Sequence, residues 1–177
     1  MEEKVLLNAT VCLLVKGDEV LLGLKTDKIG AGCRNGFGGG VEEKETIKSA
    51  AIREIEEETG KKVGDVFITT SPDNLEKVAV VDFENTKSDD THFICRVHFF
   101  IIRGWTGEAV DTDEMIDAKY YKIDDLPLGE MMPADREFFS LILHDGKKIL
   151  GKAKYGPYQK ELLGPVIIEE VFSFPEE

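Results

Sequence analysis

Glu54, Glu57 and Glu58 are the residues whose type and spacing first suggest chemistry. They close the stretch GFGGGVEEKETIKSAAIREIEEETG at positions 36–60, where a glycine-rich turn runs into a helix. Carboxylates at the C-terminal end of a helix oppose its macrodipole, at about 0.3–1 kcal/mol each when exposed. Glu54 and Glu58 also stand at i,i+4, where like charges repel. Helix stability therefore does not account for the pattern. On a helical wheel with Ile47 at zero, Ala50 and Ala51 fall at about 300° and 40°, and Glu54, Glu57 and Glu58 at about 340°, 280° and 20°. The three carboxylates continue the small apolar stripe that faces the rest of the protein. Glu56, at about 180°, points the other way and reads as solvated.

Clustered, partly buried carboxylates cannot all stay ionised without a counter-charge. A hard divalent cation answers the problem: Mg2+, with Mn2+ as a substitute, takes oxygen ligands and accepts carboxylates at i, i+3 and i+4. The preceding glycines let backbone approach a ligand closely and offer it carbonyls or amides. The plain alternative is a solvated acidic helix in an acidic protein, which the glycine turn and the inward face disfavour.

The elements that must position this cluster are legible in the hydrophobic pattern. Residues 9–16 and 19–25 read as strands joined by the short GD hairpin signal. Residues 26–37 form a turn-rich loop. The helix starts at Thr46, a suitable N-cap, and stops at Gly60. Further strands are expected at 63–70, 76–84, 92–103, 118–123, 147–154 and 165–172, with a second helix at 135–144. Many strands with two helices that do not alternate regularly indicate an α+β protein, a mixed sheet covered by helices, in a single domain spanning 1–177.

The 177 residues carry a formal net charge of −13. That balance argues against binding bulk nucleic acid, whose phosphates are held by excess Lys and Arg. A small polyphosphate remains compatible when divalent metal lies between the two negative sets. Cys12, Cys33 and Cys95 form no C-x-x-C pair, a reduced, cytoplasmic usage. His92, His98 and His144 show no ligand spacing. The start, MEEKVLLNATVCLLVKGDEVLL, lacks the basic region of a signal peptide, and no apolar run approaches a membrane span.

Residues 39–61 resemble the signature of the Nudix family, G-x5-E-x7-R-E-U-x-E-E-x-G-U, where U is a bulky apolar residue. Gly39, Glu45, Arg53, Glu54, Ile55, Glu57, Glu58 and Gly60 fall in place, and only Lys61 departs. The resemblance implies an α/β/α sandwich around a mixed β-sheet and hydrolysis of a nucleoside diphosphate linked to another moiety. It further implies Mg2+ held by Glu54, Glu57 and Glu58. Arg53 is expected to pair with a carboxylate such as Glu45, and Glu57 or Glu58 to act as base.

The flanks extend the resemblance to the MutT-type branch that removes oxidised purine nucleotides such as 8-oxo-dGTP. The stretch VLLGLKTDKIGAGCRNGFGGGV implies that Thr10, Lys25, Asn35 and Phe37 face substrate, with Gly38, Gly39 and Gly40, and that the Gly38 carbonyl joins the metal. TDEM at 112–115 places Glu114 as an extra metal ligand. MMPADREFF at 131–139 corresponds to a W-P-D-D loop and brings Met132 and Asp135 to the base. The KKILGKAKYG tail also fits.

Two departures bear on specificity. Met132 stands where the branch has a stacking tryptophan, and Ala134 where it has the first of two aspartates. A lost ring removes stacking worth about 1–3 kcal/mol per base in other nucleic-acid sites, although methionine still covers an aromatic face. A buried polar reader is the main source of strong discrimination. Asn35 keeps an amide, though it also suits a plain turn. Lys147, Lys148, Lys152 and Lys154 read as the wet face of a strand. The resulting expectation is a monomeric triphosphatase that yields monophosphate and pyrophosphate. Its rivals are a Nudix enzyme for ADP-ribose, dinucleoside polyphosphates or capped RNA, and a silent nucleotide-binding module.

Overall fold

The computed structural model describes residues 5–87 and 89–175; residues 1–4, at the start of the segment read for a leader, lie outside them. Strands β1 (Val5–Lys16), β2 (Glu19–Lys25), β3 (Arg34–Asn35), β4 (Leu75–Thr86), β5 (His92–Ile102), β6 (Met115–Lys122), β7 (Lys148–Pro157) and β8 (Ile167–Val171) form one sheet. Their order is β3-β2-β1-β5-β4-β7-β8, with β6 also paired to β2. The β1/β5 and β4/β7 pairs are parallel, whereas β1/β2, β4/β5 and β7/β8 are antiparallel. The sheet is mixed, as the pattern of elements requires.

Alternation along β1 assigns the two helices to opposite faces. Leu13 and Val15 pack with Phe138, Phe139 and Ile142 of α2 (Asp135–Leu143). Cys12 and Leu14 pack with Ala51 and Ile55 of α1 (Ile47–Glu56). The α/β/α sandwich follows from this period of two. Phe138 and Phe139 meet Phe99 edge-on, with centroids 5.2 and 6.0 Å apart, a favoured aromatic geometry.

Helix α1 opens on Thr46, whose hydroxyl accepts from the Ser49 amide while the Ser49 hydroxyl accepts from the Thr46 amide. After Glu56 the chain widens into one π-helical turn over Glu57–Lys61. Gly60 ends it at φ 144°, where a Cβ would overlap the Val66 carbonyl, so only glycine suits the position.

Three expectations need correction. Residues 63–70 are not a strand; they fold back beneath α1 with a single bridge, Thr69 to Thr106. The Ile68 amide is satisfied instead by the buried Thr59 hydroxyl at 2.8 Å. The loop at 26–37 contains the short strand β3, which pairs with Gly23 and Leu24. Glu56 is not freely solvated, because the returning segment brings Thr69 to 2.6 Å and Lys61 lies at 2.7 Å.

Candidate active site

A cavity of about 490 Å³ opens between the glycine turn, the end of α1 and one face of the sheet. Glu54, Glu57, Glu58 and Glu114 line it together with Thr10, Lys25, Asn35, Gly38, Gly39, Gly40, Met132 and Asp135. Residues separated by more than a hundred positions thus share one space.

Phe37 does not join them. Its ring is fully buried with Cys12, Ala51 and Ile55, and Phe37 and Cys12 exchange backbone hydrogen bonds of 3.0 and 2.7 Å. The expected contact of Phe37 with substrate is replaced by a structural one: the ring anchors the glycine turn to the sheet beneath α1.

At Gly38 and Gly39 the turn is pressed against β1 and α1 with no room for a side chain. A Cβ on Gly38 would overlap the Thr10 carbonyl, and one on Gly39 would lie 2.5 Å from the Glu54 carboxyl carbon. The Gly38 amide donates to Glu58 Oε1 at 2.6 Å. Missing side chains therefore let backbone meet carboxylates directly.

Arg53 organises the acidic end. Its Nε and Nη2 donate to the two oxygens of Glu45, both at 2.8 Å, and Nη2 reaches the Gly40 carbonyl at 2.9 Å. Nη1 donates to Glu54 at 2.9 Å and to Glu57 at 3.4 Å. The Glu45 bond holds the guanidinium in its charged form, while burial opposes it.

Burial pushes the Glu58 carboxyl up to about 8, against the Gly38 amide and Lys25, with the Glu54 and Glu114 charges adding to the rise. Burial also raises Glu54; Arg53 opposes it, and the Glu57 and Glu114 charges reinforce it. These carboxylates feel one another even though Arg53, Lys62 and Lys28 lie beside Glu54, Glu57 and Glu114. Together they form a donor set of hard oxygens that suits a divalent cation. Among the described residues no three acidic, imidazole or thiol groups are closed into a coordination shell. Arg53 and the Gly38 amide hold the carboxylates from their outer sides instead.

The other end of the cavity has different chemistry. Met132 is nearly buried there beside Ala134 and Tyr155. The Tyr155 hydroxyl accepts from the Ala134 amide at 2.8 Å and so fixes the start of α2. Asp135 is 4% exposed, and burial alone raises its carboxyl to about 7. Near neutrality it has both a protonated and an ionised form, able to donate or accept. Thr10 Oγ1 is buried with no partner among the described residues. A buried polar atom left without a bond is costly unless a ligand supplies one.

Asn85, Phe83 and Tyr155 also line the cavity, and sequence reading missed all three. Alternation along 76–84 could have placed Phe83 inward, but nothing local distinguishes Asn85 from a strand-end residue.

A Nudix-domain family model matches residues 5–142. The chain belongs to the Nudix family. The oxidized purine nucleoside triphosphate hydrolase of Mus musculus is 35% identical to it over 146 residues, 82% of this chain and 85% of the mouse protein. The protein of the same description from Danio rerio is 36% identical over the same shares. Among solved structures, the MutT protein of Bacillus halodurans aligns with a TM-score of 0.73 at 25% identity, covering 92% of this chain and 97% of that one. The chain is thus a Nudix hydrolase with an α+β fold, and its neighbours include MutT proteins. No helix among its described residues is long and apolar enough to cross a membrane.

Proposed function

We propose that this Nudix enzyme hydrolyses purine (deoxy)nucleoside triphosphates to monophosphate and pyrophosphate, with oxidised purines such as 8-oxo-dGTP preferred. One observation carries the reading: a single cavity is lined both by Glu54, Glu57, Glu58 and Glu114 and by Asn35, Met132 and Asp135. Its volume suits a nucleotide. The similarity to hydrolases named for oxidised purine nucleotides supports the choice of base.

Glu54, Glu57, Glu58 and Glu114, with the Gly38 carbonyl, would hold the cation. Mg2+, or Mn2+ in its place, supplies there a lower pKa for a bound water and neutralisation of phosphoryl charge. In hydrolysis a water oxygen bonds to phosphorus, the bridge between the α- and β-phosphoryl groups breaks, and Glu57 or Glu58 takes the water's proton. Arg53 acts through the carboxylates, setting Glu54 and Glu57 against the anchor of Glu45. Lys25 offsets phosphoryl charge beside Glu58. The backbone at Gly39 and Gly40 leaves room for the phosphoryl chain. Thr10, Asn35 and Asp135 supply hydrogen bonds to the nucleoside, and Met132 covers the base face. The reading treats residues 1–177 as one domain that works as a cytoplasmic monomer on free nucleotide, with neither nucleic acid nor membrane as partner.

The test of the chemistry is Glu57→Gln, which keeps shape and removes charge. Turnover of purine triphosphates is expected to vanish while the melting temperature stays within a few degrees of the wild type. Near wild-type rates in that variant would remove the acidic cluster from the mechanism.

A further inference from the structure

Asn85 is a polar residue in an apolar setting. It lies on β4 two positions beyond Phe83 and so shares the face of Val81 and Phe83. That face, with Ala9, Val11 and Val97 of the neighbouring strands, floors the cavity on its α2 side. Asn85 is only 2% exposed, yet it lines the cavity.

The orientation of its amide is fixed by chemistry. The side-chain nitrogen sits 3.1 Å from the Phe83 carbonyl oxygen. A carbonyl only accepts, so the nitrogen must be the atom placed there. Oδ1 is thereby turned away from the strand, and among the described residues nothing donates to it. Unlike Thr10 Oγ1, this oxygen is not sealed in the interior but opens to the cavity, where a ligand can donate to it. A ligand that covers it without donating leaves it unbonded at a cost.

The neighbours of Asn85 locate what it would meet. Phe83 stacks with Tyr155, their centroids 6.0 Å apart at 14°. The Tyr155 hydroxyl holds the amide before Asp135. Asn85 therefore belongs with Met132 and Asp135 at the end away from the glutamates.

We propose that Asn85 is a specificity-determining residue whose Oδ1 accepts an N–H from the edge of the substrate base. The inference rests on the ligand being a nucleotide, as read above. It adds a requirement that Asp135 cannot impose. Asp135 can donate or accept, whereas Asn85, tied to Phe83, offers its oxygen alone. Bases that present no N–H at this point are rejected, because they cover Oδ1 without bonding it.

Binding of monophosphates to the whole protein, with EDTA present, tests this apart from catalysis. The probes are 8-oxo-dGMP and the monophosphate of deoxynebularine, a purine whose base has no N–H. Asn85→Leu keeps shape without polar atoms; Asn85→Thr keeps an acceptor on a side chain well suited to strands. The Leu variant is expected to bind 8-oxo-dGMP roughly 10- to 100-fold more weakly. Its affinity for the nebularine nucleotide is expected to rise, because the oxygen that this base leaves unbonded is gone, and for 8-oxo-dGMP the Thr variant lies between Leu and wild type. A purely structural role would weaken both ligands alike, and that result overturns the proposal. So does unchanged 8-oxo-dGMP binding in folded Asn85→Leu, or wild-type protein that binds neither nucleotide. Wild-type protein that shows the expected binding pattern but turns over no triphosphate would refute the triphosphatase reading and leave Asn85 as a base reader.

Discussion

Arg53 and Glu45 form a two-pronged ion pair, Nε to Oε2 and Nη2 to Oε1, each 2.8 Å long. Glu45 precedes α1 and Arg53 lies on its inward side, so the pair ties the glycine turn to the helix. The third nitrogen of the same guanidinium reaches Glu54 and Glu57. An arginine shared in this way positions carboxylates that would otherwise repel.

Arg53→Lys tests that role. An ammonium is a single point charge and cannot span both Glu45 oxygens while touching Glu54. The variant is expected to lose on the order of 1–2 kcal/mol of stability and roughly 10- to 100-fold in kcat. Steady-state kinetics beside a denaturant titration measure both. A stability loss with unchanged kcat would make the pair purely structural.

Gly38 and Gly39 are adjacent but should fail differently. Gly38→Ala drives a Cβ into the Thr10 carbonyl, a backbone atom that cannot step aside. The expected outcome is a loss of several kcal/mol, on the order of 3 or more, visible as a sharply lowered melting temperature. Gly39→Ala meets the end of the Glu54 side chain, which can rotate away. That variant is expected to melt within about 5 °C of wild type and to lose most of its activity. Equal melting temperatures in the two variants would contradict the assignment.

Asp135 gives a pH dependence of definite sign. Burial raises its folded-state pKa from 3.8 to about 7. Between those values the native state holds a proton that the unfolded state has released, so this group lowers stability as pH rises from about 4 to 7. Asp135→Asn removes the effect. The variant is expected to gain about 1–3 kcal/mol over wild type at pH 8 and nothing near pH 4. Urea melts at the two pH values decide it; an equal gain at both would mean that the carboxyl does not titrate in this window.

Much of the acidic site was legible because chemistry fixed spacing. Glu54, Glu57 and Glu58 had to share a helix face, and Glu45 had to lie within reach of Arg53. The sheet was legible through alternation, as in Cys12 and Leu14 against Leu13 and Val15. Three failures have physical reasons. Residues 63–70 are apolar enough for a strand, but the Val63 and Gly64 amides turn back to the Gly60 carbonyl. Those of Ile68 and Thr69 are met by the Thr59 hydroxyl and the Thr106 carbonyl, partners that a strand pattern does not reveal. Phe37 sits among glycines that suggest a ligand turn, yet its ring packs into the apolar layer under α1 with Cys12, Ala51 and Ile55. Asn85 lies one residue past the strand read at 76–84, and only the tertiary structure makes it part of β4 and of the cavity wall.

The most direct test is a turnover panel with Mg2+ that follows monophosphate and pyrophosphate from 8-oxo-dGTP, dGTP, dATP, a pyrimidine triphosphate and ADP-ribose. The account predicts both products from purine triphosphates, with kcat/KM highest for 8-oxo-dGTP. Cleavage of ADP-ribose alone would contradict it, as would equal rates on every triphosphate.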